Sequence, residues 1–119
     1  MPVNRGDIFW LEPSEAEGSA GAVSHPHVVI QDDLFNNSRI HTVVMCALTS
    51  NLTRAKEPGN VLLDPGEGAL VKRSVVLVAQ ISSVPKARLG QYVGTLSSLR
   101  VEQILTGLRF IQASFLQGR

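Results

Sequence analysis

The feature that most constrains the fold is a pair of short, near-continuous apolar runs, residues 27–31 and 42–48, on either side of a polar connector. Both runs are rich in β-branched residues, which is typical of buried strands of this length. The second run is apolar on both faces, which suits a closed barrel or a sheet covered on both sides. Polar residues at the ends of the two strands would then meet on a shared rim, where we look for a functional site.

The rest of the chain completes a mainly β, α+β pattern. Residues 8–11, 61–63 and 75–84 have the composition of further short strands, and residues 86–95 predict an irregular hairpin. Either of two serines near residue 98 can cap a helix that runs to about residue 116, because apolar residues recur there at helical spacing. This order predicts a small barrel or sheet followed by one terminal helix.

Two connecting segments carry separate predictions. Pro13–Ser24 is small, acidic and glycine-containing, and predicts a surface loop. Asp32–Ser38 predicts one helical turn or a tight loop, with Leu34 and Phe35 directed inward. Phe9 and Trp10 also lie in core-like patterns, so Tyr92 is the aromatic side chain that we expect to be most available for stacking.

Length and composition limit the classes of protein that fit. The 119 residues predict one domain, residues 1–119, and a net charge of +1 gives no general attraction to nucleic acid. Cys46 is the only cysteine, which excludes an internal disulfide and a paired-cysteine zinc site, and its apolar neighbours predict a core position. Without a long apolar stretch or a signal-peptide core, we expect no membrane association and a cytoplasmic location.

Histidines are the first candidates for chemistry. In an extended strand His25 and His27 point to the same side, and an imidazole can take or give a proton near neutral pH. Each is also compatible with a solvated or capping role, and His41 is expected to lie on the surface. A metal site formed with Asp32, Asp33 or His41 is a weaker alternative, because the spacing of the two histidines is a weak signal.

Local positive charge is the second signal. Cations flank the proposed core strands at Arg39, Arg54, Lys56, Lys72 and Arg73. A guanidinium fork fits the oxygens of a phosphate, so Arg54 and Arg73 are candidates for binding phosphate groups. A single arginine of this kind is more often a solvated surface residue.

Several short motifs, in order and over nearly the whole chain, resemble the MazF/PemK toxins. They are Arg5–Trp10 (RGDIFW), Pro26–Asp33 (PHVVIQDD), Phe35-Asn36, Ala47–Ser50 (ALTS), Ser74–Val76 (SVV), Gln80-Ile81 and Lys86–Leu89 (KARL). The resemblance implies a small SH3-like β-barrel of the MazF/PemK/CcdB type with a C-terminal helix. It also implies a homodimeric, metal-independent and cofactor-free endoribonuclease that cleaves single-stranded mRNA and is neutralised by a cognate antitoxin.

The resemblance also assigns residues. The family's catalytic threonine falls on Thr49, and the usual Arg-Pro is His25-Pro26 here, so histidine replaces the catalytic arginine. Ala79 and Arg73 stand where many members carry acidic residues. We therefore assign catalysis to His25 and Thr49. The predicted RNA-binding residues are His27, Asp32, Ser50, Arg54, Arg73, Ser74 and Gln80.

Two other functions stay open at this level. The departures at Ala79 and Arg73 are compatible with a catalytically silent barrel that binds another protein, such as DNA gyrase. A metal-dependent hydrolase is the third hypothesis, and removal of metal by a chelator would inactivate it.

Overall fold

The computed structural model describes residues 2–12 and 25–116, and for residues 114–116 it describes the backbone alone. The predicted loop Pro13–Ser24 therefore lies outside the described residues. The described residues form six strands: β1 (Asp7–Leu11), β2 (Pro26–Val29), β3 (Thr42–Thr49), β4 (Val61–Leu63), β5 (Ser74–Pro85) and β6 (Leu89–Thr95). Two α-helices, α1 (Asp33–Asn36) and α2 (Ser98–Leu116), accompany short 3-10 turns at Leu52–Lys56, Glu67–Ala69 and Lys86–Arg88.

All six strands form one antiparallel sheet in the order β4-β5-β3-β2-β1-β6. Strands β4 and β6 are its edges, so within the described residues the sheet is barrel-like but not closed. This confirms the predicted α+β class with a C-terminal helix. The two apolar runs are adjacent strands, as predicted, because β2 pairs directly with β3.

The sheet is buried on both faces. One core lies between the sheet and α2 and contains Ile104 and Leu108 of the helix together with Cys46 and Leu48 of β3. A second core lies on the opposite face and includes Met45 of β3. The two-sided apolar pattern of β3 thus has the predicted cause, since alternate residues of the strand enter different cores. Burial raises the pKa of the Cys46 thiol to about 12, in keeping with its predicted core position.

Strand β5 contains a large irregularity that faces the middle of β3. Cys46 pairs with Ile81 and Ala47 pairs with Leu77, so residues 78–80 have no counterparts on β3. The backbone N–H of Val78 donates instead to the side-chain oxygen of Asn60, at 3.0 Å. Extra residues on one strand bend and twist it, so β5 curves around the core without ending there.

The orientation predicted for α1 was wrong. Leu34 and Phe35 are 75% and 52% exposed, whereas Asn36 is buried. The amide of Asn36 donates to the carbonyl of Gln31 at 2.8 Å and accepts from the Gln31 side chain at 2.9 Å. This short helix is therefore held to the sheet by a polar contact, and its apolar residues face outward.

None of the helices described has both the length and the apolarity that crossing a membrane requires.

Candidate active site

A pocket of about 480 Å³ opens at the end of the sheet where β2 begins and β3 ends. Its polar wall carries an imidazole, three hydroxyl groups and an ammonium group, and its apolar wall carries an indole ring. The lining residues are Trp10, His25, Pro26, Leu48, Thr49, Ser50, Ala69, Leu70, Val71, Lys72, Ser74 and Val93. We call this cavity the rim pocket.

Strand register explains why these residues meet. His27 lies opposite Ala47 in the β2–β3 ladder, and continuing that antiparallel register by two residues places His25 opposite Thr49. Thr49 also faces Val75 in the β3–β5 ladder, so continuing by one residue places Ser50 opposite Ser74.

On the other side of β2, Trp10 faces Pro26. The rim pocket is therefore lined by five neighbouring strands, β5, β3, β2, β1 and β6, and by residues 69–72 before β5.

The hydroxyl groups in the rim pocket differ in what they can offer a ligand. Thr49 is half-buried, and its Oγ1 accepts the backbone N–H of Asn51 at 3.2 Å. That bond uses a lone pair and leaves the O–H of Thr49 able to donate. Ser74, in contrast, is buried and donates its hydroxyl to the carbonyl of Lys72 at 3.0 Å, which fixes the turn into β5.

The two histidines take different positions. His25 is half-buried and lines the rim pocket, whereas His27 does not. The Nδ1–H of His27 donates to the backbone carbonyl of His25 at 2.9 Å, so His27 holds the backbone next to the pocket. Within residues 2–12 and 25–116, no three or more His, Cys, Asp or Glu side chains are grouped closely enough to hold a metal ion.

The predicted RNA-binding charges lie outside the rim pocket and have protein partners. Arg54 pairs with Glu57 at 2.6 Å, and this hydrogen bond raises the pKa of Arg54 and lowers the pKa of Glu57. Arg73 lies 3.4 Å from Asp64. Asp32 lies 3.7 Å from Arg5 and also accepts the backbone N–H of Leu34, which caps α1.

Gln80 is also outside the rim pocket. It is exposed and lies in the irregular part of β5, between Leu77 and Ile81. Ala79, which stands where the family often has an acid, is exposed beside it. A strand of RNA that touched both Thr49 and Gln80 would run along the β3–β5 ribbon, and the role of Gln80 stays a prediction.

Sequence reasoning missed two residues of the pocket, Trp10 and Lys72. Trp10 was expected in the core but is 39% exposed and lines the rim pocket, whereas its neighbours Ile8 and Phe9 lie in the two cores. Lys72 was noted only as a flanking charge. It lies on a bend two residues before β5 begins, so neither strand alternation nor helical spacing could have placed it in the pocket.

The remaining aromatic candidates are elsewhere. Tyr92 is exposed, as expected, but its ring packs edge-to-face on Phe9 and its hydroxyl forms a 2.6 Å hydrogen bond with Thr95. Phe35, expected in the core, is exposed on α1.

A curled antiparallel sheet with a terminal helix and a polar pocket at its rim defines a small barrel-like binding or catalytic domain. Residues 4–111 match the family model described as "PemK-like, MazF-like toxin of type II toxin-antitoxin system". The chain therefore belongs to the PemK/MazF toxin family.

Relatives of known name agree with this assignment. The chain is 36% identical over 109 residues to endoribonuclease MazF6 of Mycobacterium tuberculosis, covering 92% of this chain and 96% of that protein. It is 31% identical over 102 residues to endoribonuclease MazF of Staphylococcus saprophyticus, covering 86% and 84% of the two chains.

Solved structures share the fold. A mycobacterial endoribonuclease in complex with its cognate antitoxin superposes with a TM-score of 0.75 at 21% identity, covering 93% of this chain and 95% of that one. MazF from Deinococcus radiodurans superposes with a TM-score of 0.71 at 20% identity, covering 95% and 98%.

Proposed function

We propose that the rim pocket is the catalytic site of an endoribonuclease toxin that cleaves single-stranded mRNA without a metal ion. The observation that carries this proposal is the presence of His25 and Thr49 on the wall of one pocket, at the adjoining ends of paired strands. The named relatives, which are endoribonucleases, supply the class of reaction.

The proposed reaction is an internal transesterification. The 2′-hydroxyl of the RNA loses its proton to a base, and its oxygen forms a bond to the neighbouring phosphorus. The bond from phosphorus to the 5′-oxygen breaks, and that leaving oxygen receives a proton from an acid. The products are a 2′,3′-cyclic phosphate and a 5′-hydroxyl, so the reaction consumes no water and its steps involve no metal ion.

His25 and Thr49 have different parts in this proposal. The imidazole of His25 carries one of the two proton transfers, because it can hold or release a proton near neutral pH. The hydroxyl of Thr49 donates a hydrogen bond to a non-bridging phosphate oxygen, where negative charge grows in the transition state. The half-burial of both residues limits competing hydration while leaving the pocket open to a strand of RNA.

Histidine in place of the family's arginine has a consequence for pH. A guanidinium stays charged throughout the physiological range, whereas an imidazole changes its charge there. We therefore propose that cleavage by this chain depends on pH near neutrality more strongly than cleavage by members with arginine at this position.

We further propose that the chain acts in the cytoplasm as a homodimer and is neutralised by a cognate antitoxin. A structural relative from a mycobacterial species was solved in complex with its cognate antitoxin. A cytoplasmic location gives the chain access to mRNA, and binding of an antitoxin would keep the chain inactive.

The test is cleavage of a mixed-sequence single-stranded RNA by the purified dimer in excess chelator. We expect discrete fragments that end in cyclic phosphate. His25→Ala and Thr49→Ala should each lower the cleavage rate by about 100-fold or more, the usual effect of losing a proton-transfer group or a charge-stabilising donor.

Two substitutions outside the pocket are matched controls. His41→Ala removes an exposed histidine, and Thr53→Ala removes an exposed threonine that bonds Asn51. Both variants should cleave as fast as the wild type. Intact RNA with the wild-type dimer, or equal losses in controls and pocket variants, would contradict the proposal.

A further inference from the structure

We propose that Lys72 is the cation of the rim pocket that binds the RNA phosphate at the cleavage site. The inference rests on the proposed function and adds a binding residue to it. Lys72 would supply the permanent positive charge that is missing from the pocket when histidine stands in place of arginine. Three features support this role: the position of Lys72, the protein partners of the other cations, and the contacts that hold the backbone at Lys72.

Lys72 is the one lysine or arginine among the described residues that line the rim pocket. It is exposed, and no salt bridge to it is present in the described part of the chain. A side chain in this state keeps its rotational freedom and its charge for a ligand. An ammonium group acts as a point charge with three donors, which tolerates the changing geometry of a reacting phosphate.

Other arginines around the fold are already paired. Arg54 is held by Glu57, Arg73 lies against Asp64, and Arg100 is bonded to Glu67 at 2.8 and 2.9 Å. Arg5 donates to the carbonyl of Ile30 at 2.9 Å. Recruiting any of these groups to RNA would first cost a protein contact, whereas Lys72 has no such contact with the residues that the structure describes.

The backbone at Lys72 is fixed on both sides. Its carbonyl accepts the hydroxyl of the buried Ser74, and Leu70 anchors the chain in the first core. Lys72 and Ser74 both line the pocket, whereas Arg73 between them does not, and the chain bends at Lys72 before β5 begins at Ser74. The stem of Lys72 therefore starts from a fixed point on the wall of the pocket that Ser50 and Thr49 also line.

The salt dependence of binding tests this role directly. For a single strand, each phosphate contact contributes about 0.7 to the slope of log K against log salt. The probe is a short single-stranded RNA with a deoxynucleotide at the cleavage site, which binds but lacks the attacking hydroxyl. Lys72→Met should lower the slope by about 0.7 and weaken binding about tenfold at low salt, whereas Lys72→Arg should keep the wild-type slope.

Lys56→Met is the matched control, because Lys56 is also an exposed lysine but does not line the rim pocket. We expect its slope to equal that of the wild type. On cleavable RNA, Lys72→Met should also be about tenfold slower or more, and thermal denaturation should show that both variants are folded.

The outcomes separate this inference from the proposed function. If the wild type cleaves RNA and Lys72→Met binds with an unchanged slope, the role of Lys72 is wrong and the nuclease stands. Equal slope losses in Lys72→Met and Lys56→Met would also overturn it, because they would indicate a general effect of surface charge. If the wild type neither binds nor cleaves RNA, both proposals fail.

Discussion

The polar groups of the rim pocket and those at the N-terminal end of α2 differ in whether they have partners within the protein. In the first turn of α2, Arg100 binds both oxygens of Glu67, and Glu67 also accepts the backbone N–H of Asp64 at 2.7 Å. In the rim pocket, the O–H of Thr49 and the ammonium group of Lys72 have no acceptor among the described residues. The charged groups at the start of α2 hold the helix to a turn, whereas these polar groups of the rim pocket are available to a ligand.

This difference shows that partners, more than residue types, separate structural from functional polar groups. Glu67 and Arg100 are charged and conspicuous in the sequence, yet their hydrogen bonds are satisfied within the protein. Thr49 is uncharged and inconspicuous, yet it presents an unused donor in a pocket.

The largest effect should appear when one variant from each region is compared in the same two measurements. Thr49→Ala should lower the rate of RNA cleavage about 100-fold and change stability little, since only one exposed turn hydrogen bond is lost. Arg100→Met should leave cleavage unchanged and lower the free energy of unfolding by about 1 kcal/mol. Single-turnover cleavage and thermal denaturation measure the two quantities. Loss of cleavage in Arg100→Met at a temperature where the variant is folded would remove the distinction.

A smaller effect is expected where α2 approaches the turn before β4. The Cβ of an alanine at Gly107 would collide with the carbonyl oxygen of Gly59, so helix and turn would have to separate. Gly107→Ala should therefore destabilise the fold by about 1–3 kcal/mol, although alanine normally favours a helix. Thr106→Ala, at the exposed neighbouring position, should be close to neutral. Denaturant unfolding compares the two variants, and an unchanged or stabilised Gly107→Ala would show that the contact is loose.

The smallest effect should appear as a dependence of stability on pH. The hydrogen bond from Arg100 holds the pKa of Glu67 below its ordinary value of 4.5. The unfolded chain therefore takes up a proton at Glu67 more readily than the folded chain does. The stabilisation is complete above the ordinary value and is lost as the pH falls through the lowered folded value.

Glu67→Gln should lose this part of the acid dependence while keeping the rest, because other carboxyls, such as Asp33, are unchanged. Unfolding measured from neutral to acid pH should bring the wild type and the variant closer together in stability as the pH falls. Parallel curves would mean that the pair contributes nothing through its charge.

Sequence patterns predicted burial correctly where they extend over many residues. The two-sided burial of β3 and the apolar stripe of α2 follow from local alternation and helical spacing, which need no knowledge of distant contacts. A four-residue helix is too short for such a pattern to decide its orientation. Leu34 and Phe35 were therefore assigned to the wrong side, and a hydrogen bond from Asn36 determines which side faces the sheet.

The rim pocket depends on pairing between distant strands, which explains what was missed there. His25 and Thr49 were brought together by resemblance to a family and by the expectation that strand ends meet. Trp10 and Lys72 could not be placed, because their neighbours across the sheet depend on registers that local sequence does not specify.

Trp10 is the only tryptophan in the chain, and part of its indole surface forms a wall of the cavity. Tryptophan fluorescence from the chain therefore reports on this one position. A nucleobase stacked on that ring would quench the signal, and a protein segment shielding it from solvent would shift the spectrum to shorter wavelength. The molecule thus carries an intrinsic optical reporter that can distinguish occupation by nucleic acid from coverage by a protein inhibitor, with no label attached.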